Sequence, residues 1–224
     1  MADLGSFLQA RALYSEAELL MKRAIALSDR ASGDKSKEMG SFLNNFVTLL
    51  RETGRRSEAE AIMRRSLEIA ELVDRPNISV RLSNLVVLLF EMGRVPEAEP
   101  FARRALELAE QQGTNHPDVA IRLHNLARIL IARSEMVEAE EMIIRAIRIE
   151  KENHGPDDYR LGQRLGLYAD LLERENRTEA ALAHREEALR IFRKSFPSMH
   201  PWLLEAEEEL RSTKARIGHA VEQA

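Results

Sequence analysis

The chain has 224 residues and a formal net charge of −4, with 31% charged residues, 5% aromatic residues and no cysteine. Disulfides, thiolate metal sites and cysteine nucleophiles are therefore excluded, and the slightly acidic balance supplies no global field for nucleic acid. The longest apolar run, Leu85-Val86-Val87-Leu88-Leu89-Phe90, falls far short of the roughly 20 residues a membrane helix needs. The N-terminus lacks the basic-then-apolar pattern of a signal peptide, so a soluble, cytoplasmic protein is expected.

Taken in order, the chain repeats itself. A shortened first unit, LGSFLQARALYSEAELLMKRAIALSDR, begins at Leu4. Fuller copies follow: SFLNNFVTLLRETGRRSEAEAIMRRSLEIAE, RLSNLVVLLFEMGRVPEAEPFARRALELAE, RLHNLARILIARSEMVEAEEMIIRAIRIEKE and RLGLYADLLERENRTEAALAHREEALRIFRK. Each reads as two amphipathic helices around a turn, such as Met92-Gly93-Arg94. The small residue of each "EA" step falls at Ala17, Ala59, Ala98, Ala139 and Ala181, at intervals of 42, 39, 41 and 42 residues. A period near 40 without strand patterns predicts an all-α solenoid, in which each unit buries its apolar face against its neighbours. The expected organisation is one domain over 1–224, with repeats at about 1–36, 37–77, 78–117, 118–158 and 159–198. An amphipathic capping helix is expected over 201–218, followed by a frayed tail.

Local signals refine this outline. Ser15-Glu16-Ala17-Glu18 and Ser57-Glu58-Ala59-Glu60 have the form of capping boxes that would start second helices. Pro96 suits a first helical turn. The connection over 31–37 is the loosest, and Asp74-Arg75-Pro76-Asn77 the shortest. The loops over 113–118 and 153–158 end in Asp118 and Asp158, each able to cap the next helix.

At Leu43-Asn44-Asn45-Phe46, Glu97-Ala98-Glu99-Pro100 and His116-Pro117-Asp118-Val119-Ala120, the chain resembles tetratricopeptide repeats, specifically the longer variety of kinesin light chains. The resemblance covers essentially the whole chain. Ser134 and Asn176 stand where the turn glycine appears as Gly54 and Gly93, and Gly166-Leu167 stands where the Asn pair would be. The resemblance implies a right-handed superhelix whose first helices line a concave groove, peptide or partner-helix binding there, and no enzymatic activity.

Asn45, Asn84 and Asn125 share one repeat position, one residue before the apolar Phe46, Leu85 and Leu126. An offset of about 100° turns such an amide off the packed face. There it can offer a donor and an acceptor to an extended peptide backbone or hold a neighbouring helix. Asn44, Thr48, Arg51, Ser83, Val87, His124, Arg128 and Ile131 are expected on the same face, and Arg51 and Arg128 would suit a carboxylate-bearing ligand. The basic positions Lys22-Arg23, Arg64-Arg65, Arg103-Arg104 and Arg145 read as solvated ion-pair partners of Glu18, Glu60, Glu99 and Glu141, all spaced i,i+4. Met21, Met63 and Met142 read as core filler.

None of the six histidines has metal-site spacing, and no phosphate loop or nucleophile elbow is present. The expectation is a binding module for a protein or peptide, with no cofactor, metal, nucleic acid or membrane partner and no catalysis. Two alternatives are a regulatory segment of a larger protein and a self-associating array. The acidic run over 205–209 opposes the latter unless it meets basic residues.

Overall fold

A computed structural model of the chain describes residues 14–32 and 37–222, with side chains over 14–27 and 39–218. The expected helix from Leu4, most of the 31–37 connection and the last two residues lie outside the described residues.

Among the described residues there are ten α-helices and no strand. They are α1 (Tyr14–Ser32), α2 (Lys37–Glu52), α3 (Arg56–Val73), α4 (Ile78–Glu91), α5 (Val95–Glu110), α6 (Pro117–Ala132), α7 (Met136–His154), α8 (Tyr159–Arg174), α9 (Thr178–Ser195) and α10 (Pro201–Glu222). The expected short connection before α4 is a turn of 3-10 helix, Arg75–Asn77, in which Asn77 Nδ2 donates to Asp74 Oδ2 at 2.7 Å. The capping helix, expected over 201–218, is continuous to Glu222.

The chain forms two compact units, Met1–Leu108 and Ala109–Ala224. In the first, α1 packs on α2, α2 on α3 and α3 on α4, around Met39, Leu43 and Ile69. In the second, α6 packs on α7, α7 on α8, α8 on α9 and α9 on α10. The last contact is built on Leu189, Phe192, Leu203 and Ala206. The repeated alanines Ala17, Ala59, Ala98, Ala139 and Ala181 are all 0% exposed. At a fully packed position a larger side chain would have to displace its neighbours, which favours the small residue that recurs.

One turn joins the helices of each pair. Gly54, Gly93, Ser134 and Asn176 all adopt the left-handed conformation, with φ between 61° and 76°. The following amide reaches back five residues to a carbonyl: Arg55 to Leu50, Arg94 to Leu89, Glu135 to Leu130 and Arg177 to Leu172, at 2.8–2.9 Å. This is the glycine-type helix C-cap, which satisfies carbonyls left open at the helix end. Ser134 and Asn176 keep the geometry that glycine adopts freely.

The helix starts differ from expectation. Ser57 and Ser15 lie inside α3 and α1, and α3 is preceded by Arg55 without a side-chain cap. The turn arginines do not cap, since a guanidinium only donates, and they make ion pairs instead. Arg55 reaches Glu58 (2.6 Å) and Glu18 (2.8 Å), and Arg94 reaches Glu97 (2.6 Å) and Glu60. Glu18 and Glu60 belong to the previous repeat, so each arginine ties one second helix to the next. Asp158 caps α8 as expected, accepting from the Arg160 amide at 2.9 Å, but α6 is capped by His116 rather than Asp118. His116 Nδ1 accepts from the Asp118 amide at 3.2 Å, and His200 repeats this at the Trp202 amide (3.3 Å).

Three of the four expected i,i+4 pairs form: Glu18–Lys22, Glu60–Arg64 and Glu99–Arg103, at 2.7–2.8 Å. The fourth does not, because Arg145 turns instead to Glu110 and the Thr114 carbonyl. Met21 and Met63 are core residues, whereas Met142 is half-buried and Ile143 takes the inner place.

Candidate functional site

In the first unit the candidate residues lie on α2 and α4, the first helices of their repeats. Asn84 Nδ2 donates to Asn44 Oδ1 at 2.6 Å, clipping α4 to α2. Thr48 is exposed, its hydroxyl donating to the Asn44 carbonyl at 3.4 Å. Arg51 is committed to Glu91 through both Nε (3.1 Å) and Nη2, so its charge is already met within the unit. Asn45 and Val87 are half-buried, and the Asn45 amide has no hydrogen bond to a described residue. Ser83 does not join this face: it is buried, and its hydroxyl has no partner among the described residues.

In the second unit His124, Asn125 and Arg128 lie on α6. Asn125 is half-buried and has no hydrogen bond to a described residue. Ile131 is buried and leaves the face. His124 and Arg128 open onto a cleft of about 370 Å³, walled also by α8, α9 and α10. His124 Nδ1 is buried without a partner. That burial, reinforced by the positive charges of Arg164 and Arg128, holds the imidazole pKa well below its usual value, so the ring is neutral.

Two glycines of α8, Gly162 and Gly166, line the cleft one helical turn apart. A Cβ at Gly162 would lie 2.6 Å from Phe192 Cε1, so packing demands the glycine. A Cβ at Gly166 would meet only Arg185 Nη1, at 3.9 Å, which is ordinary contact. Gly166 therefore keeps space open in a helix interior, where glycine costs about 0.5–1 kcal/mol relative to alanine. On the opposite side Trp202 stacks on Tyr159, with ring centroids 5.6 Å apart, and meets Phe196 edge-on at 5.3 Å.

The structure also assigns residues that were not singled out in the sequence. Arg185, 5% exposed, bonds Asp170 of α8 and Glu209 of α10. It stands four residues after Ala181, where earlier repeats carry Met21, Met63, Ala102 and Ile143. Glu150, 0% exposed, accepts from Arg164 Nη2 at 3.0 Å and lies 3.0 Å from His154 Nδ1. It occupies the register of Ala70, Ala109 and Phe192. Arg81, Arg122 and Arg164 are buried at one repeat position, and burial lowers all three guanidinium pKa values. A charged residue in an apolar register was the available signal. Among the described residues, no group of three or more His, Asp or Glu side chains is placed to hold a metal, and no helix is long and apolar enough to cross a membrane.

The class this defines is a tandem array of antiparallel helix pairs. Profiles of the tetratricopeptide repeat match residues 79–136 and 123–194, and another matches 41–73. The chain belongs to the tetratricopeptide-repeat family. Its fold is similar to that of BtubC (BKLC) from P. vanneervenii, at 20% identity over 93% of this chain and 90% of that one, with a TM-score of 0.72. A Podosopora anserina protein of nearly identical TPR-like repeats, described as a kinesin light chain, matches at 17% identity over 87% and 93% of the two chains, with a TM-score of 0.73. These likenesses place the fold with the kinesin-light-chain type of repeat. No curated protein is significantly similar in sequence.

Proposed function

We propose that the chain is a protein–protein interaction module that takes a peptide or partner segment on the first-helix faces of its repeats. It acts as one repeat domain in the cytoplasm and performs no catalysis of its own. The supporting observation is the pair of half-buried amides in one register, Asn45 and Asn125, which packing does not require and which bond to no described residue. Neither amide is among the polar atoms closed to solvent, so water can meet them in the free chain and a ligand can take the place of that water. An extended peptide backbone supplies the matching donor and acceptor without any demand on its sequence.

The test is affinity capture from the native lysate with the wild-type chain, Asn45→Ala/Asn125→Ala and Asn84→Ala, with circular dichroism as the fold control. A partner kept by Asn84→Ala and lost by the double variant supports recognition through the free amides. Equal retention by all three would remove these faces from consideration.

A further inference from the structure

We propose that the cleft of the second unit receives a basic side chain, a lysine or arginine carried by the bound segment. This deepens the interaction reading and rests on it. The argument begins with the acidic run of α10. Glu207 pairs with Arg193 at 2.9 Å, Glu208 with Arg211 at 2.6 Å, and Glu209 with Arg185. Glu205 forms no ion pair with a described residue, and it lines the cleft. The other charges there are Arg128 and Arg185 against Asp170 and Glu209. Arg185 pairs with both of those acids and Arg128, on the α6 wall, makes contacts elsewhere, so Glu205 is the carboxylate of the cleft with no ion-pair partner among the described residues.

The second element is Trp202. It lines the same cleft, is 37% exposed, and is held by stacking on Tyr159 and edge contact with Phe196. A fixed indole beside an unmet carboxylate suits a cation with an aliphatic stem, which gains from the ring face as well as from the charge. The third element is Gly166, which leaves the space that a side chain entering the cleft would fill. An acidic ligand entering beside Trp202 would face Glu205, which has no ion pair with a described residue, and is disfavoured there.

Trp202 is the only tryptophan of the chain, so indole fluorescence, excited at wavelengths where tyrosine does not absorb, reports on this cleft alone. The full chain is titrated with acetyl-Gly-Arg-Gly-amide, acetyl-Gly-Lys-Gly-amide and acetyl-Gly-Glu-Gly-amide, using free N-acetyltryptophanamide to correct for non-specific quenching. A saturable change with the two basic peptides, with a Kd on the order of millimolar for so small a contact, and none with the acidic one is the expected result. Glu205→Gln should weaken the basic peptides about threefold, the loss of one exposed charge contact, and Gly166→Leu should weaken them more than about tenfold by filling the cleft. Glu205→Lys, at an exposed position that does not threaten folding, should abolish their binding.

The inference is overturned if no basic peptide saturates, if the acidic peptide binds equally well, or if Glu205→Lys and Gly166→Leu leave the affinity unchanged while helicity is retained. Silence from the peptides alongside partner capture that depends on Asn45 and Asn125 would sink the cleft and leave the module reading standing. Saturation by basic peptides with capture indifferent to those amides would do the reverse.

Discussion

The two units handle polar groups on their inner helices differently. In the first, α2 and α4 are joined through neutral amides, Asn84 to Asn44, and through the half-exposed pair Arg51–Glu91. Both units bury an arginine at one repeat position, Arg81 in the first and Arg122 and Arg164 in the second, and the second adds Glu150 and Arg185. Arg164 meets Glu150 with both side chains at or below 5% exposure, and Arg185 is buried between Asp170 and Glu209. Gly166 then leaves room in a cleft beside these ions, while Gly162 is packed against Phe192 at its wall. An amide pair adjusts to small shifts at little cost, whereas a buried ion pair holds its geometry because losing one partner strands the other. The second unit is therefore the one whose cleft is walled by a buried arginine and its acids.

The largest test of that contrast is Glu150→Leu. It leaves the Arg164 guanidinium buried without its carboxylate, and about 3–5 kcal/mol of stability should be lost, read as a fall in the urea midpoint. Glu150→Leu with Arg164→Met should recover most of it, because two apolar groups of similar volume replace both charges. A single variant within 1 kcal/mol of wild type, on the order of an exposed pair, would show that the ion pair does not hold the second unit together.

Next in size is a pair of substitutions on one helix with opposite signs. Gly162→Ala drives a methyl into the Phe192 ring and should cost about 1–3 kcal/mol through overpacking. Gly166→Ala meets no obstacle and should stabilise by about 0.5–1 kcal/mol, since alanine restricts the unfolded chain and suits a helix better. Thermal unfolding of both variants checks this. A cost at Gly166 as large as at Gly162 would mean that packing, not an open cleft, requires both glycines.

The repeat length, the helix pairs and the turn positions were legible in the sequence because local pattern determines them. The five alanines declare where helices touch, and Gly54 and Gly93 where they turn. Helix starts were less legible. Ser57 lies inside α3, and the arginines that stand just before α3 and α5, Arg55 and Arg94, take partners, Glu18 and Glu60, that lie more than 30 residues away. Of the candidate face, Ser83 and Ile131 proved buried, since their exposure depends on how neighbouring helices cross. The buried ions were present as anomalies of register at Arg185 and Glu150. Their partners come from other helices, so only the assembled fold shows which charge answers which.

Burial also makes the second unit sensitive to pH. His124 has its pKa held well below 6.5 in the folded state by burial and by the neighbouring arginines. Between that depressed value and 6.5 the unfolded chain binds the proton and the folded chain does not, so stability must fall as pH is lowered through this window. It should be fully present above 6.5. His124→Asn should flatten the slope of unfolding free energy between pH 7 and pH 5, whereas Asn44→Ala in the first unit should leave that slope unchanged. Parallel slopes for wild type and His124→Asn would show that the imidazole is not the titrating group.

The smallest effect separates the units at their turns. Gly93 in the first and Ser134 in the second hold the same left-handed conformation, at φ 74° and 63°, and the amide that follows each makes the same bond five residues back. Serine pays a steric cost there that glycine escapes. Ser134→Gly should therefore stabilise by a few tenths of a kcal/mol, the relief of strain exceeding the added freedom of the unfolded chain. Gly93→Ala should destabilise by about 1 kcal/mol. Asn176→Gly should do almost nothing, because asparagine tolerates this conformation. Chemical denaturation of the three variants, compared at constant m-value, resolves the order. Should Ser134→Gly destabilise as Gly93→Ala does, the serine must contribute through its side chain, and the turns of the two units would be alike in geometry only.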